Sequence, residues 1–419
     1  IGPEPGLRGF FHANTFSFGI TQAGGAGKAL SEWVIHGEPE FDLWGFDRRR
    51  YGAYADFAYT RAKAIEVYQN EYAPAFPFEE REAGRPRKTS PLYETLKAKG
   101  GRFGARGGWE RAVWFGEAEA ALSFRRPRPF DAAVAAEVRA VRERVGVLDM
   151  PGFGKYEVTD AAALDRLLCS RLPRVGRVQL AYALTRSGGI LSEFTVYRAE
   201  ENRFLLFGAA AAEDHDLDAL APAKPINRTE EMGTLVLAGP RARDVLARLT
   251  DADLSNAAFP WLTGRRIVVA GCEVLALRIN YVGELGWELH AAPADLPALY
   301  AALTEAGAED FGLYAVDALR LEKGYRAWGA DISPNDTPFE AGLGFAVALN
   351  DGRDFLGRAA LESASGQPLK KRMASFVCDD EDVVLVGRET ILRDGEPVGY
   401  LSSGGYGYTL RRPVGLGYL

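Results

Sequence analysis

Near Val147 the hydrophobic rhythm of this chain changes. Before it, Val134, Val138, Val141 and Val145 fall at spacings of four, three and four, the stripe of an amphipathic helix that begins near Asp131. After it, short segments of both periods are interleaved. Lys155 to Thr159, Thr195 to Tyr197 and Arg203 to Phe207 read as strands, and Ala161 to Leu168 and Ala242 to Leu249 as helices. From Val274 to Tyr281 the chain alternates, with Leu275, Leu277, Ile279 and Tyr281 on one face and Arg278 and Asn280 on the other. Leu313 to Lys323 is again helical, and from about Lys370 short strands are joined by turns such as Asp394-Gly395. This mixture predicts an α+β architecture, and 419 residues are too many for one ordinary core, so two to four domains are expected. The strand-like run Gly415 to Leu419 would leave an unpaired edge if the domain stopped there, and the start, Ile1-Gly2-Pro3, has no Met or apolar leader. Both ends therefore read as cuts in a longer chain.

Upstream of Asp131 the pattern is looser. An apolar stretch, Leu7 to Phe11, runs through a Gly-rich loop into a helix carrying Ala26, Leu30 and Trp33, which His36-Gly37-Glu38-Pro39 ends. A second helix is expected from Ala55 to Tyr72, with Ala58, Ala62, Ile65, Tyr68 and Tyr72 on one side. Ala73 to Phe130 reads as an irregular connector, held down by Trp109, Trp114 and Phe115. A net charge of −7 with no basic run argues against a nucleic-acid partner, and no apolar run is long enough to span a membrane. Cys169, Cys272 and Cys378 lie far apart and the four histidines are scattered, so no metal-ligand spacing exists and a reducing compartment is expected.

Four segments could carry chemistry. Gly19 to Lys28 is glycine-rich and enters a helix, which suits an anionic ligand near free N–H groups, or simply a tight helix entry. Gly188-Gly189 leads into a strand on which Glu193 alternates with Phe194. That carboxylate is either a desolvated acid with a raised pKa or a solvated strand charge. Tyr281 to His290 gathers two carboxylates, two aromatics and a histidine in the turn between two strands, with Glu288 between Trp287 and Leu289. It fits the wall and edge of a planar heteroaromatic site, or a hairpin with solvent-facing glutamates. Arg320 shares a helical face with Val316 and Leu319. Once buried it must be paired, with a ligand oxygen or internally with Asp317 or a glutamate.

Taken together, HGEPEFDLWGFDRRRYG (36–52), GGWERAVWF (107–115), GELGWELH (283–290) and LRLEKGYRAWGADISPNDTPFEAGL (319–343) resemble the dimethylglycine and sarcosine dehydrogenase family. From about Asp149 the chain also resembles the aminomethyltransferase, or T-protein, of the glycine cleavage system. The resemblance implies a multi-lobed folate-binding fold over 131–369 and a C-terminal β-rich lobe over 370–419. Ahead of these it implies the tail of an FAD-dependent oxidase domain over 1–52 and a connector over 53–130. It implies an enzyme that oxidises an N-methyl amine at covalently held FAD and passes the carbon to tetrahydrofolate, with dimethylglycine favoured over sarcosine. A stand-alone aminomethyltransferase and a folate-binding module are the other readings. By resemblance the folate contacts are Glu193, Phe194, Thr195, Tyr281, Glu288, Leu289, His290, Arg320 and Phe345, with Glu193 the catalytic acid. Gly19, Ile20, Gly24 and Gly25 would face the flavin, whose nucleotide-binding unit and attachment histidine would precede Ile1. Two departures stand out: Ser192-Glu193 replaces the Asp-Asp of T-proteins, and Phe345 stands where relatives have tyrosine. The partners implied are the amine, the folate and the flavin domain of the same protein.

Overall fold

A computed structural model describes residues 1–14, 18–117 and 122–419. Strands β1 (Gly2–Pro3) and β2 (Phe11–His12) pair and precede helix α1 (Gly19–His36). Gly37, at φ 82°, closes that helix by donating its N–H to the Trp33 carbonyl. The expected glycine-rich loop is therefore the first half of α1. Each interior glycine costs about 1 kcal/mol relative to alanine, and what secures the helix is its far end, where Ala29 and Trp33 are buried with Leu43. Helix α2 (Phe57–Gln69) is capped by Asp56, whose carboxylate accepts from the Tyr59 N–H at 2.9 Å. None of its side chains is buried.

The connector is not irregular throughout. It contains helix α3 (Tyr93–Ala98) and a hairpin of β3 (Gly101–Arg106) and β4 (Trp109–Phe115). Gly107 (φ 57°) and Gly108 (φ 79°) form its two-residue turn, which needs positive φ at both positions. Residues 118–121 of the expected connector lie outside the described residues.

Helix α4 (Asp131–Glu143) buries Val134, Val138 and Val141, as its spacing predicts. Along the chain follow β5 (Gly146–Asp149), β6 (Phe153–Val158), α5 (Ala161–Leu167), β7 (Val178–Leu184), β8 (Ile190–Glu200), β9 (Arg203–Ala210), α6 (Glu213–Leu220), β10 (Ile226–Asn227) and β11 (Gly233–Ala238). Then come α7 (Ala242–Ala247), β12 (Gly264–Val269), β13 (Cys272–Leu277), β14 (Gly286–Ala291), α8 (Leu296–Glu305), β15 (Glu309–Asp310) and α9 (Leu313–Glu322). The first large sheet has the order β10-β6-β9-β8-β7 and the second β12-β13-β14-β11-β5-β15. The two sheets meet where Tyr197, Leu205 and Phe207 of the first pack on Leu275 and Leu277 of the second. Their outer faces bury separate cores, around Phe194 and Phe204 on one side and Trp287 and Leu289 on the other.

After α10 (Arg358–Ala364), strands β16 (Met373–Val377), β17 (Thr390–Arg393), β18 (Glu396–Gly407) and β19 (Arg412–Tyr418) form a last sheet in the order β16-β19-β18-β17. The C-terminal strand, expected at an edge, is thus paired on both sides: Tyr418 lies opposite both Met373 and Tyr400.

Candidate functional site

Strand β8 sorts its side chains by parity. Phe194 and Val196 enter the outer core, while Tyr197, two places beyond Thr195 and four beyond Glu193, packs against the second sheet. Glu193, Thr195 and Tyr197 therefore share the face between the sheets, and Phe194, fully buried, faces away. Phe194 is thus a core residue rather than a wall of the site. The turn that delivers β8 is clamped. Ile190 donates its N–H to the Asp336 carbonyl at 3.0 Å, and a Cβ on Gly189 would lie 1.9 Å from the Pro334 carbonyl oxygen. Only glycine fits there.

Burial raises the Glu193 carboxyl to about 7, Tyr182 and Arg326 opposing and Asp331 assisting. Tyr182 is its cross-strand partner on β7 and is fully buried, with a hydroxyl that closes no hydrogen bond of good geometry. An acid that titrates near neutrality beside a buried phenol is suited to proton transfer. The strand is also braced from behind by the N-terminal segment. Trp44 stacks edge-on with His215 and Trp328; His215 Nδ1 sits 3.3 Å from Ser192 Oγ, and Trp328 Nε1 donates to the Leu191 carbonyl at 3.0 Å. Further links join Asp42 N to Asn335 Oδ1 (2.8 Å) and Arg49 to Asp218 (2.6 Å).

On β14 the parity is equally clear. Trp287, Leu289 and Ala291 enter the outer core, so Leu289 is not a contact residue of the inner face. Glu288 and His290 point toward the first sheet, where His290 stacks on Phe207 at 4.4 Å. His290 Nδ1 lies 2.9 Å from Thr234 Oγ1 and Nε2 lies 3.5 Å from Glu288 Oε2. Burial lowers the imidazole pKa, opposed by Glu288, so the ring is neutral at pH 7. The loop between β13 and β14 starts earlier than expected, after Leu277. Asn280 Oδ1 accepts from the N–H groups of Val282 and Gly283, an Asx turn. Tyr281 in that loop is 36% exposed and donates its hydroxyl to the Arg326 carbonyl.

Arg320 settles on the internal alternative. It is 4% exposed, and its guanidinium donates to Asp317 Oδ1 (2.7 Å), Asp331 Oδ2 (2.6 Å), the Tyr325 carbonyl (3.2 Å) and Ser403 Oγ (2.9 Å). Four of its five N–H groups are spent within the protein, joining α9 to the last sheet and leaving at most one for a ligand oxygen. Phe345, 79% exposed, stands on the surface. Gly19, Ile20, Gly24 and Gly25 lie exposed on α1, Ile20 at 96%, and a Cβ on any of the three glycines would meet nothing within 4 Å. Gly24 and Gly25, past the first turn, have their N–H groups bonded within the helix, whereas Gly19 and Ile20 open it.

Sequence reasoning missed Lys155, Tyr182, Arg326 and Asp331, which surround the two carboxylates. Two open cavities, of about 490 and 470 Å³, lie elsewhere: one where Arg49 to Tyr54 meets Trp109 and Glu213, the other around Arg144, Arg241 and Arg248. Neither is lined by Glu193 or Glu288.

Three known domain families match the chain. Residues 92–351, more than half of the chain, match the GCVT N-terminal domain family. Residues 371–419 match the glycine cleavage T-protein C-terminal barrel domain, and residues 36–90 the FAD dependent oxidoreductase central domain. The chain is 39% identical to mitochondrial dimethylglycine dehydrogenase of Mus musculus, over 100% of this chain and 50% of that protein. It is 34% identical to mitochondrial sarcosine dehydrogenase of Homo sapiens, over 100% of this chain and 52% of that protein. The chain thus spans about half the length of these relatives. The crystal structure of glycine cleavage system aminomethyltransferase T from Bartonella henselae superposes with a TM-score of 0.65 at 26% identity, covering 79% of this chain and 90% of that one.

Proposed function

Because the chain belongs to the glycine cleavage T-protein family, in the group with dimethylglycine and sarcosine dehydrogenases, we propose that it is the folate-binding half of a flavin-dependent N-methylglycine dehydrogenase. The whole enzyme would oxidise dimethylglycine, or sarcosine, at FAD held by residues outside this chain. This half would join the oxidised methyl carbon to tetrahydrofolate, giving 5,10-methylenetetrahydrofolate. The observation that carries the reading is the joint between its two parts. The segment that matches a flavin oxidoreductase, through Trp44, braces the strand that bears the half-buried Glu193. A stand-alone aminomethyltransferase has no use for such a segment.

The residues divide the task. Glu288 takes the amino-pyrimidine edge of the pterin as a two-oxygen acceptor, with neutral His290 fixing its orientation. Glu193 handles protons. Capture of an imine forms a bond from one folate nitrogen to the imine carbon; the second folate nitrogen then bonds the same carbon as the C–N bond to the amine breaks, and the amine leaves carrying the protons that the two folate nitrogens lose. A carboxyl titrating near 7 can take a proton from one nitrogen and return it to the other. Tyr281, part-exposed with its hydroxyl tied to the Arg326 carbonyl, would border the entrance to the folate.

Calorimetric titration of this chain with tetrahydrofolate should give saturable binding, and Glu288→Gln should weaken it by about 2 kcal/mol, the scale of a charge-assisted hydrogen bond. No binding to the wild-type chain would refute the reading. Undiminished affinity in the variant would remove Glu288 from the site.

A further inference from the structure

Lysine in a strand is normally solvated. Lys155 on β6 is 2% exposed. Its cross-strand neighbour is Phe207, the ring on which His290 stacks, so it stands on the inner face of the first sheet opposite Glu288 and His290. An ammonium carries three donors. Among the described residues Lys155 spends one, on the Phe153 carbonyl at 3.0 Å, and closes no ion pair within 4 Å. Glu288 is nevertheless the strongest charge acting on it, ahead of Asp149 and Glu213. His290 Nε2 beside them is also buried without a hydrogen bond.

Buried polar groups left without partners, here two donors of Lys155 and His290 Nε2 beside the half-buried Glu288, are costly unless a ligand meets them. The ligand must offer donors to Glu288 and, next to them, an acceptor to the ammonium. A 2-amino-4-oxo pyrimidine has that edge: the 2-amino group and N3–H donate, and the 4-oxo oxygen accepts. We propose that Lys155 is a specificity residue that receives the 4-oxo oxygen of the pterin, so that the site selects 4-oxo folates over their 4-amino counterparts. The inference rests on the folate reading above and adds the second half of the edge that Glu288 begins. Burial lowers the ammonium to about 8, which leaves it charged at neutral pH. A 4-amino group would set donors against those of the ammonium, the kind of mismatch that binding sites reject most strongly.

The test compares the affinities of tetrahydrofolate and of its 4-amino analogue for this chain, by calorimetry at pH 7. The wild type should prefer the 4-oxo compound by about tenfold or more. Lys155→Met keeps the apolar stem and removes the charge, and it should shrink that preference by about threefold or more by weakening the 4-oxo compound, the remainder coming from the N3–H that only the 4-oxo form offers Glu288. Lys155→Gln, whose amide offers both donors and an acceptor and so can meet either compound, should likewise shrink the preference, and it stands in should the Met variant fail to fold. If the wild type binds neither compound, the folate reading itself fails. If the wild type binds tetrahydrofolate but the folded variants keep its full preference, Lys155 is not the selector and this inference alone is lost.

Discussion

In the full-length enzyme, Glu193→Gln should leave amine oxidation at its wild-type rate while the product changes from 5,10-methylenetetrahydrofolate to free formaldehyde. The imine is an electrophile that water hydrolyses, so capture by folate competes with hydrolysis. Capture wins only if a folate nitrogen is close, unprotonated and screened from water. Glu193 lies on the face between the two sheets and its carboxyl is held near 7 by burial. Glutamine keeps the shape and loses the exchangeable proton. General acid–base groups contribute about 10²–10⁴ in rate, so the folate product should fall by at least about a hundredfold relative to formaldehyde. In the wild type the same partition should drift toward formaldehyde as pH falls below about 7, because the carboxyl must be ionised to accept a proton. Both products can be followed in one quenched reaction. An unchanged ratio in the variant would reduce Glu193 to a binding residue at most.

Arg320→Ala should be the most destabilising single change in the chain's polar interior, at about 3–5 kcal/mol, because it strands a buried carboxylate. Asp331 is 1% exposed and accepts from Arg320, from the Ala327 N–H at 2.9 Å and from Ser402 Oγ at 2.5 Å. Tyr418 of the C-terminal strand donates to the Asp331 carbonyl at 2.9 Å. One arginine thus ties α9, the 325–331 turn and the last sheet together. Asp317 keeps access to water and adds little to the loss. Urea denaturation gives the free energy directly. Arg320→Lys should recover only part of it, since one ammonium cannot reproduce the fork that spans Asp317, Asp331 and Ser403. A loss below about 1 kcal/mol, the scale of an exposed pair, would mean that the network is loosely held.

What could be read in the sequence was local. The stripe of α4, the Gly188-Gly189 turn before β8 and the Glu288 hairpin each announce themselves within ten residues; the first two stand where expected, and the hairpin loop opens four residues early, after Leu277. The pairing of Arg320 with Asp317 was likewise visible at helical spacing, whereas Asp331 and Ser403 come together with it only through the fold. Lys155 carries no sequence signal: it becomes buried because a second sheet covers the face it points from. Phe194 and Leu289 show the converse, since neighbours of a ligand residue in a strand necessarily point to the opposite face. The glycines of α1 misled because composition favours a loop, while the packing of Trp33 and Ala29 decides for helix. The Gly107-Gly108 turn was a hairpin signal hidden in a segment that was otherwise rich in proline and arginine.

The central claim is that this half of the molecule receives the methyl carbon of the amine. It is tested most directly by giving the full-length enzyme dimethylglycine labelled with ¹³C in its N-methyl groups, with tetrahydrofolate present, and locating the label by NMR. The account predicts the label in the bridging methylene of 5,10-methylenetetrahydrofolate, retained even when a scavenger removes free formaldehyde from solution. Label found only in the scavenged formaldehyde would contradict it.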